Sequence, residues 1–272
     1  MLSVTRRQAS PTNIGVYSME SRLKLAESVV LQSILVNVEG FPSYKDGEMK
    51  KLESVQLNIL TNLLELPKTT PYCALLMEVG WWPMKDRLSY KKLMLYHNIV
   101  RSDDRRVIKK LLRVQEREVR PTTWLAAVER EIDKYKIGLN ARESCKSTWK
   151  KEVKENINKE VELELRKKCE NSSKARIVKD DKFEKKEYLQ GKVDAKTAKK
   201  ILRARLNMCN LPGNYKQNGK GTCNLCEEEE GTTEHYFTCK RVRMLSKEWG
   251  VKTEHLKSQE IMVMKKFLRQ RC

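Results

Sequence analysis

Long apolar runs are scarce in this 272-residue sequence. The longest, residues 29–38, is interrupted by Gln32, Ser33 and Asn37 and is too short to span a bilayer. The first residues, Met-Leu-Ser-Val-Thr-Arg-Arg, contain no apolar segment of the kind that a secretory signal requires. We therefore predict an intracellular protein, nuclear or cytoplasmic and not secreted, with reduced cysteines and no membrane partner.

Acidic residues are also under-represented. The chain has 36 Asp and Glu against 56 Lys and Arg, which gives a formal net charge of +20. Such an excess favours a polyanionic partner such as DNA, RNA or an acidic membrane surface, and the alternative is a charged surface that only maintains solubility. The acidic residues form no paired-carboxylate constellation, so we expect no enzymatic activity.

Histidine is rarer still, and one of the three histidines lies in a cysteine-rich segment. Cys223, Cys226, His235 and Cys239 have the spacing C-x2-C-x8-H-x3-C. Three thiolates and one imidazole are the ligands that a closed, tetrahedral structural Zn²⁺ site uses. A redox pair, Cys223 with Cys226, is an alternative, but the acidic run Glu227–Glu230 is expected to raise the thiol pKa. A catalytic pair of nucleophile and base, formed by Cys239 and His235, is a second alternative, but it has no third residue to orient the base. We predict structural zinc.

Helical periodicity dominates the remaining sequence. We predict an all-α fold with a helical bundle over residues 15–116, a charged helical connector over 117–191, and a basic helix, zinc knuckle and C-terminal helices over 192–272. In the connector, apolar residues recur at every fourth position and form a narrow stripe. This pattern indicates a long helix that packs within the chain along one narrow seam. The stripe comprises Trp149, Val153, Ile157, Val161 and Leu165.

Three local predictions concern the bundle. One helix, capped by Ser18, should have an apolar stripe formed by Leu23, Ala26, Val30 and Ile34. Another, capped by Ser102, should bury Val107, Ile108, Leu111 and Leu112. The double tryptophan Trp81-Trp82 is interpreted as core and turn packing rather than as a binding platform.

A predicted helix from about residue 194 to 209 separates its residues by type. Lys192, Lys196, Lys199 and Arg203 form one stripe, and apolar residues form another. Such a helix can dock on protein and contact phosphates with its cationic side, although an ordinary lysine-rich amphipathic helix has the same pattern. The predicted nucleic-acid contacts, which include basic residues around the knuckle, are Lys192, Lys196, Lys199, Lys200, Arg203, Arg205, Lys216, Lys220, Lys240, Arg241 and Arg243.

Several short stretches occur in a familiar order: LPKTTP at 66–71, LLMEVGWWP at 75–83, LMLYH at 93–97, RLNM at 205–208, PGNY at 212–215, TCNLC at 222–226 and TEHYFTC at 233–239. From about Ile14 to the end, the chain resembles the part of non-LTR (LINE-type) retrotransposon polyproteins that follows the reverse-transcriptase palm. The resemblance implies thumb-like helices, a helical connector and a Cys-Cys-His-Cys zinc knuckle. It also implies that the knuckle and the basic helices near it hold template RNA and target DNA.

The catalytic signature of that family is missing. Its palm carries a Tyr/Phe-x-Asp-Asp turn between two strands, which holds two metal ions. The Asp-Asp pairs here, at 103–104 and 180–181, do not lie among strand-forming residues. The resemblance thus implies a non-catalytic nucleic-acid-binding region, with a separate reverse-transcriptase palm or other retroelement proteins as further partners. The alternative function is a zinc-stabilised protein-interaction module.

Overall fold

The computed structural model describes residues 18–118, 120–172, 175, 178–208, 221–223, 225–232, 235 and 239–241. These residues are mostly helical, which confirms the all-α prediction, and their β structure is limited to an isolated bridge between Thr222 and Glu230. The helices are α1 (Met19–Leu25), α2 (Leu31–Ile34), α3 (Asp46–Leu64), α4 (Tyr72–Val79), α5 (Met84–Val100), α6 (Val107–Arg117), α7 (Trp124–Lys134), α8 (Lys146–Glu170) and α9 (Ala195–Arg205). A π-helical turn (Ala26–Val30) joins α1 to α2, and 3₁₀ turns occupy Val38–Gly40 and Glu187–Leu189.

The π turn changes which residues of the first helical segment face the core. The N–H of Leu31 bonds to the carbonyl five residues earlier, so the turn contains one extra residue. As a result Leu31 and Leu35 are fully buried, whereas Val30 is 40% exposed. The predicted stripe is wrong at Val30 because a regular period of 3.6 residues does not allow for this extra residue, whereas Ala26 is buried and Ile34 is half-buried against the core.

Helix α8 packs along a single seam, as predicted. All five residues of the predicted stripe are buried, and Cys169 extends the seam by one more turn. The seam faces α4 and α5. Trp149 anchors it, since its Nε1–H donates to the carbonyl of Leu93 at 3.3 Å and its ring stacks on His97. The thin stripe therefore marks packing within the chain.

The segment between α8 and α9 packs onto α4 at a glycine. Gly80 ends α4 with φ +65°, and a Cβ at this position would lie 2.5 Å from the backbone nitrogen of Lys185. The N–H of Lys186 donates to the carbonyl of Glu78 at 3.1 Å. The side chain of Leu189 is fully buried. Only glycine tolerates both the left-handed backbone and the close contact.

Helix α6 differs from its prediction. It begins at Val107, and the hydroxyl of Ser102 donates to a carbonyl at the end of α5 instead of capping α6. Leu112 is buried, but Val107, Ile108 and Leu111 are 71%, 45% and 56% exposed. The amphipathic pattern of α6 is predicted correctly, but the rest of the described chain packs only against the side of the helix that carries Leu112.

One buried hydrophobic cluster includes residues from all three predicted regions, from Met19 to Cys239. The domain boundaries at 116 and 191 stay predictions. Among the described helices, none combines the length and the apolar character needed to cross a bilayer.

Candidate metal centre and nucleic-acid interface

The four predicted ligands come together. The ligand atoms of Cys223, Cys226, His235 and Cys239 all lie within 4.8 Å of one another. In a tetrahedral site with bonds of about 2.0–2.3 Å, neighbouring ligand atoms are about 3.3–3.8 Å apart, so a small adjustment closes this cluster around one ion. Cys223, His235 and Cys239 are buried, and Cys226 is half-buried. The cluster can therefore hold a metal ion.

A tight turn brings the first two cysteines to one point. The N–H of Cys223 donates to the carbonyl of Glu229 at 2.7 Å, and the N–H of Glu227 donates to the carbonyl of Cys223 at 2.8 Å. Glu227 has a left-handed backbone with φ 60°. Gly231 lies against this turn, because a Cβ there would be 3.1 Å from the carbonyl oxygen of Thr222. These backbone contacts hold Cys223 and Cys226 in one turn.

The ring of His235 is oriented by a residue that the sequence analysis did not identify. Its Nδ1 lies 2.9 Å from a carboxylate oxygen of Glu229, which leaves Nε2 facing the sulfur of Cys226 at 3.2 Å. The hydroxyl of Thr232 caps the helical turn at His235, because it accepts a hydrogen bond from the His235 N–H. The N–H of Cys239 bonds to the His235 carbonyl, so these two ligands lie one helical turn apart. A carboxylate on the second nitrogen is a common support for a metal-binding imidazole.

The pKa of Cys226 shifts in the direction opposite to the prediction. The pKa of Cys226 is lowered to about 7, chiefly because the backbone N–H groups of Glu228 and Glu229 donate to its sulfur. The carboxylate of Glu229 is 66% exposed, so solvent screens its charge, whereas the amide dipoles point at the thiolate. Burial lowers the pKa of His235, but hydrogen bonds to Cys223, Cys226 and Glu229 outweigh it and raise that pKa overall. The thiolate form, which binds metals, is thus favoured.

The basic helix is shorter than predicted, and its cations differ in exposure and in their partners. It ends at Arg205, because Asn207 has a left-handed backbone with φ 56°. Lys192 and Lys196 are exposed, and Lys192 lies 3.0 Å from the carboxylate of Glu187. Lys200 is half-buried.

Two further members of the stripe contact protein, although Arg203 is also exposed to solvent. Lys199 forms an ion pair with Glu65, which follows the last residue of α3. Arg203 donates to the backbone carbonyl of Glu65 at 2.6 Å. These contacts attach α9 to the C-terminal end of α3, so a phosphate at Lys199 competes with a bound carboxylate.

The position of Arg205 differs most from its predicted role as a phosphate contact. Its side chain is 13% exposed, and it donates to the fully buried carboxylate of Glu78 at 2.8 Å. It also pairs with Asp181, and the hydroxyl of Tyr188 bonds to the other oxygen of Glu78. The expected phosphate contact at Arg205 is corrected to an ion pair that joins α9 to α4, because the guanidinium is buried among carboxylates.

The remaining predicted contacts flank the metal cluster. Lys240 and Arg241 are exposed, and Lys240 lies 3.8 Å from the carboxylate of Glu228. Lys216, Lys220 and Arg243 lie outside the described residues. The exposed predicted cations are thus Lys192, Lys196, Arg203, Lys240 and Arg241, and of these Arg203 already donates to the carbonyl of Glu65.

Comparisons with known proteins identify no relative. The chain matches no family model, no curated protein and no solved structure. The retrotransposon resemblance is therefore a prediction that its quoted motifs alone support, and the function has to be argued from the geometry.

Proposed function

We propose that this chain is a zinc-stabilised, non-catalytic nucleic-acid-binding protein, equivalent to the region that follows the palm in a non-LTR retrotransposon reverse transcriptase. The convergence of four ligand atoms within 4.8 Å in a chain of net charge +20 is the observation that carries the proposal. RNA and DNA are its proposed partners, together with a separate reverse-transcriptase palm.

The ligand set supports zinc as the bound metal. Thiolate and imidazole ligands in a tetrahedron suit Zn²⁺, whereas Mg²⁺ and Ca²⁺ prefer oxygen ligands. Four protein ligands leave no open position for water or substrate, which supports a structural rather than a catalytic ion. Cys223, Cys226, His235 and Cys239 hold the ion in this proposal, and Glu229 orients His235.

Exposed cations support phosphate binding. Contacts between lysine or arginine and phosphate release counterions from the nucleic acid, so the affinity decreases as salt increases. Lys192 and Lys240 pair with exposed carboxylates, and within the described residues Lys196 and Arg241 form no ion pair. Such surface pairs are weak. A polyanion can therefore displace them at little cost.

We expect Lys192→Gln/Lys196→Gln to weaken RNA and DNA binding and to flatten its salt dependence. Loss of two phosphate contacts should reduce the slope of log affinity against log salt by about 1.4–1.8. A filter-binding titration at several salt concentrations measures this slope. The matched control is Lys50→Gln/Lys51→Gln, which removes the same charge from exposed positions of α3. Equal slopes for the two variants, or a wild-type affinity that does not change with salt concentration, would contradict the proposal.

The exposed face of α6 favours a protein-interaction module as the second candidate. Val107, Ile108, Leu111 and Val114 lie on one side of this helix and are 45–71% exposed. Exposed apolar residues grouped on one face are typical of protein-binding surfaces.

Leu111→Glu separates the two candidates. For a nucleic-acid-binding protein, we expect an oligonucleotide affinity within about twofold of wild type, because one surface substitution away from the contacts has little effect. If α6 binds protein, the same substitution should abolish the association of α6 with its partner. Sedimentation velocity tests the simplest case, in which the partner is a second copy of the chain. A loss of association with unchanged oligonucleotide affinity would establish that α6 binds protein.

A further inference from the structure

A cavity of about 410 Å³ opens between the N-terminal helical segment, α5 and α8. Its volume is in the range of small-molecule binding sites. The described residues that line it belong neither to the metal cluster nor to α9. The proposed function therefore leaves this cavity unexplained.

Two aromatic side chains line the cavity. Trp82 and Tyr90 are half-buried, with ring centroids 5.4 Å apart at an interplanar angle of 61°. The indole N–H of Trp82 donates to the side-chain oxygen of Asn158 at 2.6 Å, which holds the ring against α8. Trp81 is 3% exposed and fits the predicted role in the core, but Trp82 does not share that burial. Partly exposed aromatic rings are the platforms on which proteins stack unpaired bases.

Two lysines of α8 border the same cavity. Lys150 and Lys154 are one helical turn apart and exposed, and within the described part of the chain neither forms an ion pair. The ammonium group of Lys154 lies 6.0 Å from the centroid of the Tyr90 ring. The lining has two other cations, and both already have partners, because Arg87 pairs with Glu27 at 2.7 Å and Lys91 donates to the carbonyl of Leu35. Lys150 and Lys154 are therefore the cations available to an incoming phosphate.

The π turn forms the opposite wall. It carries Glu27, whose pair with Arg87 fixes the distance between this wall and α5. Gln32, just after the turn, lines the cavity, and its amide can both donate to and accept from the edge of a base. Turns of this kind interrupt a regular helix and occur frequently at functional sites.

We infer that this cavity binds an unpaired nucleobase of single-stranded nucleic acid, which stacks on Trp82 and Tyr90 while Lys150 and Lys154 contact the adjacent phosphates. The inference rests on the proposed function and adds a selectivity to it. Bases inside a duplex are stacked on their neighbours and cannot reach the rings, so the cavity favours single strands.

Tyr90→Leu tests the stacking. The probe is a fluorescent oligothymidylate of roughly 12 nucleotides, within the site sizes of single-strand-binding folds, and a duplex of the same length is the comparison. We expect Tyr90→Leu to lower single-strand affinity about 5- to 100-fold, the usual loss for one stacked base, and to leave duplex affinity unchanged. Tyr90→Phe should bind like wild type. Tyr96→Leu is the matched control, because Tyr96 is a half-buried tyrosine of α5 that packs on Trp124 outside the cavity.

Lys150→Gln/Lys154→Gln gives a second readout on exposed positions where misfolding is not expected. The slope of log affinity against log salt should decrease by about 1.4 for the single strand. Wild-type behaviour of both cavity variants, with salt-dependent binding intact, would overturn the cavity assignment and leave the proposed function standing. Equal losses on single strand and duplex would also overturn it. Failure of the wild-type chain to bind either probe would overturn both.

Discussion

Cys239→Ser should abolish stoichiometric zinc binding and unfold the region around the metal cluster. The substitution removes a buried ligand from a set of four, and three ligands no longer close the site. In isolated zinc-finger peptides, metal binding contributes about 10–16 kcal/mol, which is the free energy that folds them. Metal content of the purified protein, read by mass spectrometry, should fall from one zinc per chain to near zero.

The structural effect should stay local. Hydrogen exchange at the amides of Cys223 and Cys239 should become fast, while the helices of the main core keep their protection. Their packing depends on buried residues such as Leu75 and Trp149, which do not require the ion. Treating the wild-type chain with a chelator should reproduce the same pattern of exchange.

Cys145→Ser is the matched control. Cys145 is exposed at the start of α8, where its sulfur caps the helix, and serine serves that role equally well. This variant should retain one zinc per chain. A wild-type protein purified without any transition metal, or a Cys239→Ser variant with full metal content, would refute the zinc assignment.

Arg205→Leu should destabilise the chain by about 3–5 kcal/mol, because it leaves the buried carboxylate of Glu78 without its cation. Asp181 pairs with the same guanidinium and Tyr188 donates to the same carboxylate, so the loss affects α4, α9 and the segment that joins α8 to α9. Urea denaturation followed by circular dichroism measures the difference in free energy of unfolding.

Lys196→Leu is the comparison for this variant. It also replaces a cation of α9 by leucine, but at an exposed position, so we expect a change within about 0.5 kcal/mol. If Arg205→Leu were as stable as Lys196→Leu yet bound nucleic acid less tightly, Arg205 would be a phosphate contact, as its sequence position first indicated.

These two residues show where prediction from the sequence reaches its limit. Both are cations of one helix and lie nine residues apart, which places them on opposite faces, but periodicity does not reveal that carboxylates lie opposite Arg205. The same limit applies to Leu111 and Leu112, which are adjacent and equally apolar, although only Leu112 is buried. The role of Glu229 was missed for a related reason, since its carboxylate contacts His235 only after the turn has formed.

The sequence by itself determined the helical class, the buried seam of α8 and the four metal-ligating positions. Each of these depends on periodicity or spacing among residues that are close in the chain, where backbone geometry alone sets which side chains share a face. Only the tertiary structure decided which cations are free, which apolar face is covered and where Trp82 and Tyr90 meet α8. Those properties depend on the element that lies opposite, and long-range packing brings such elements together without leaving a local signal in the sequence.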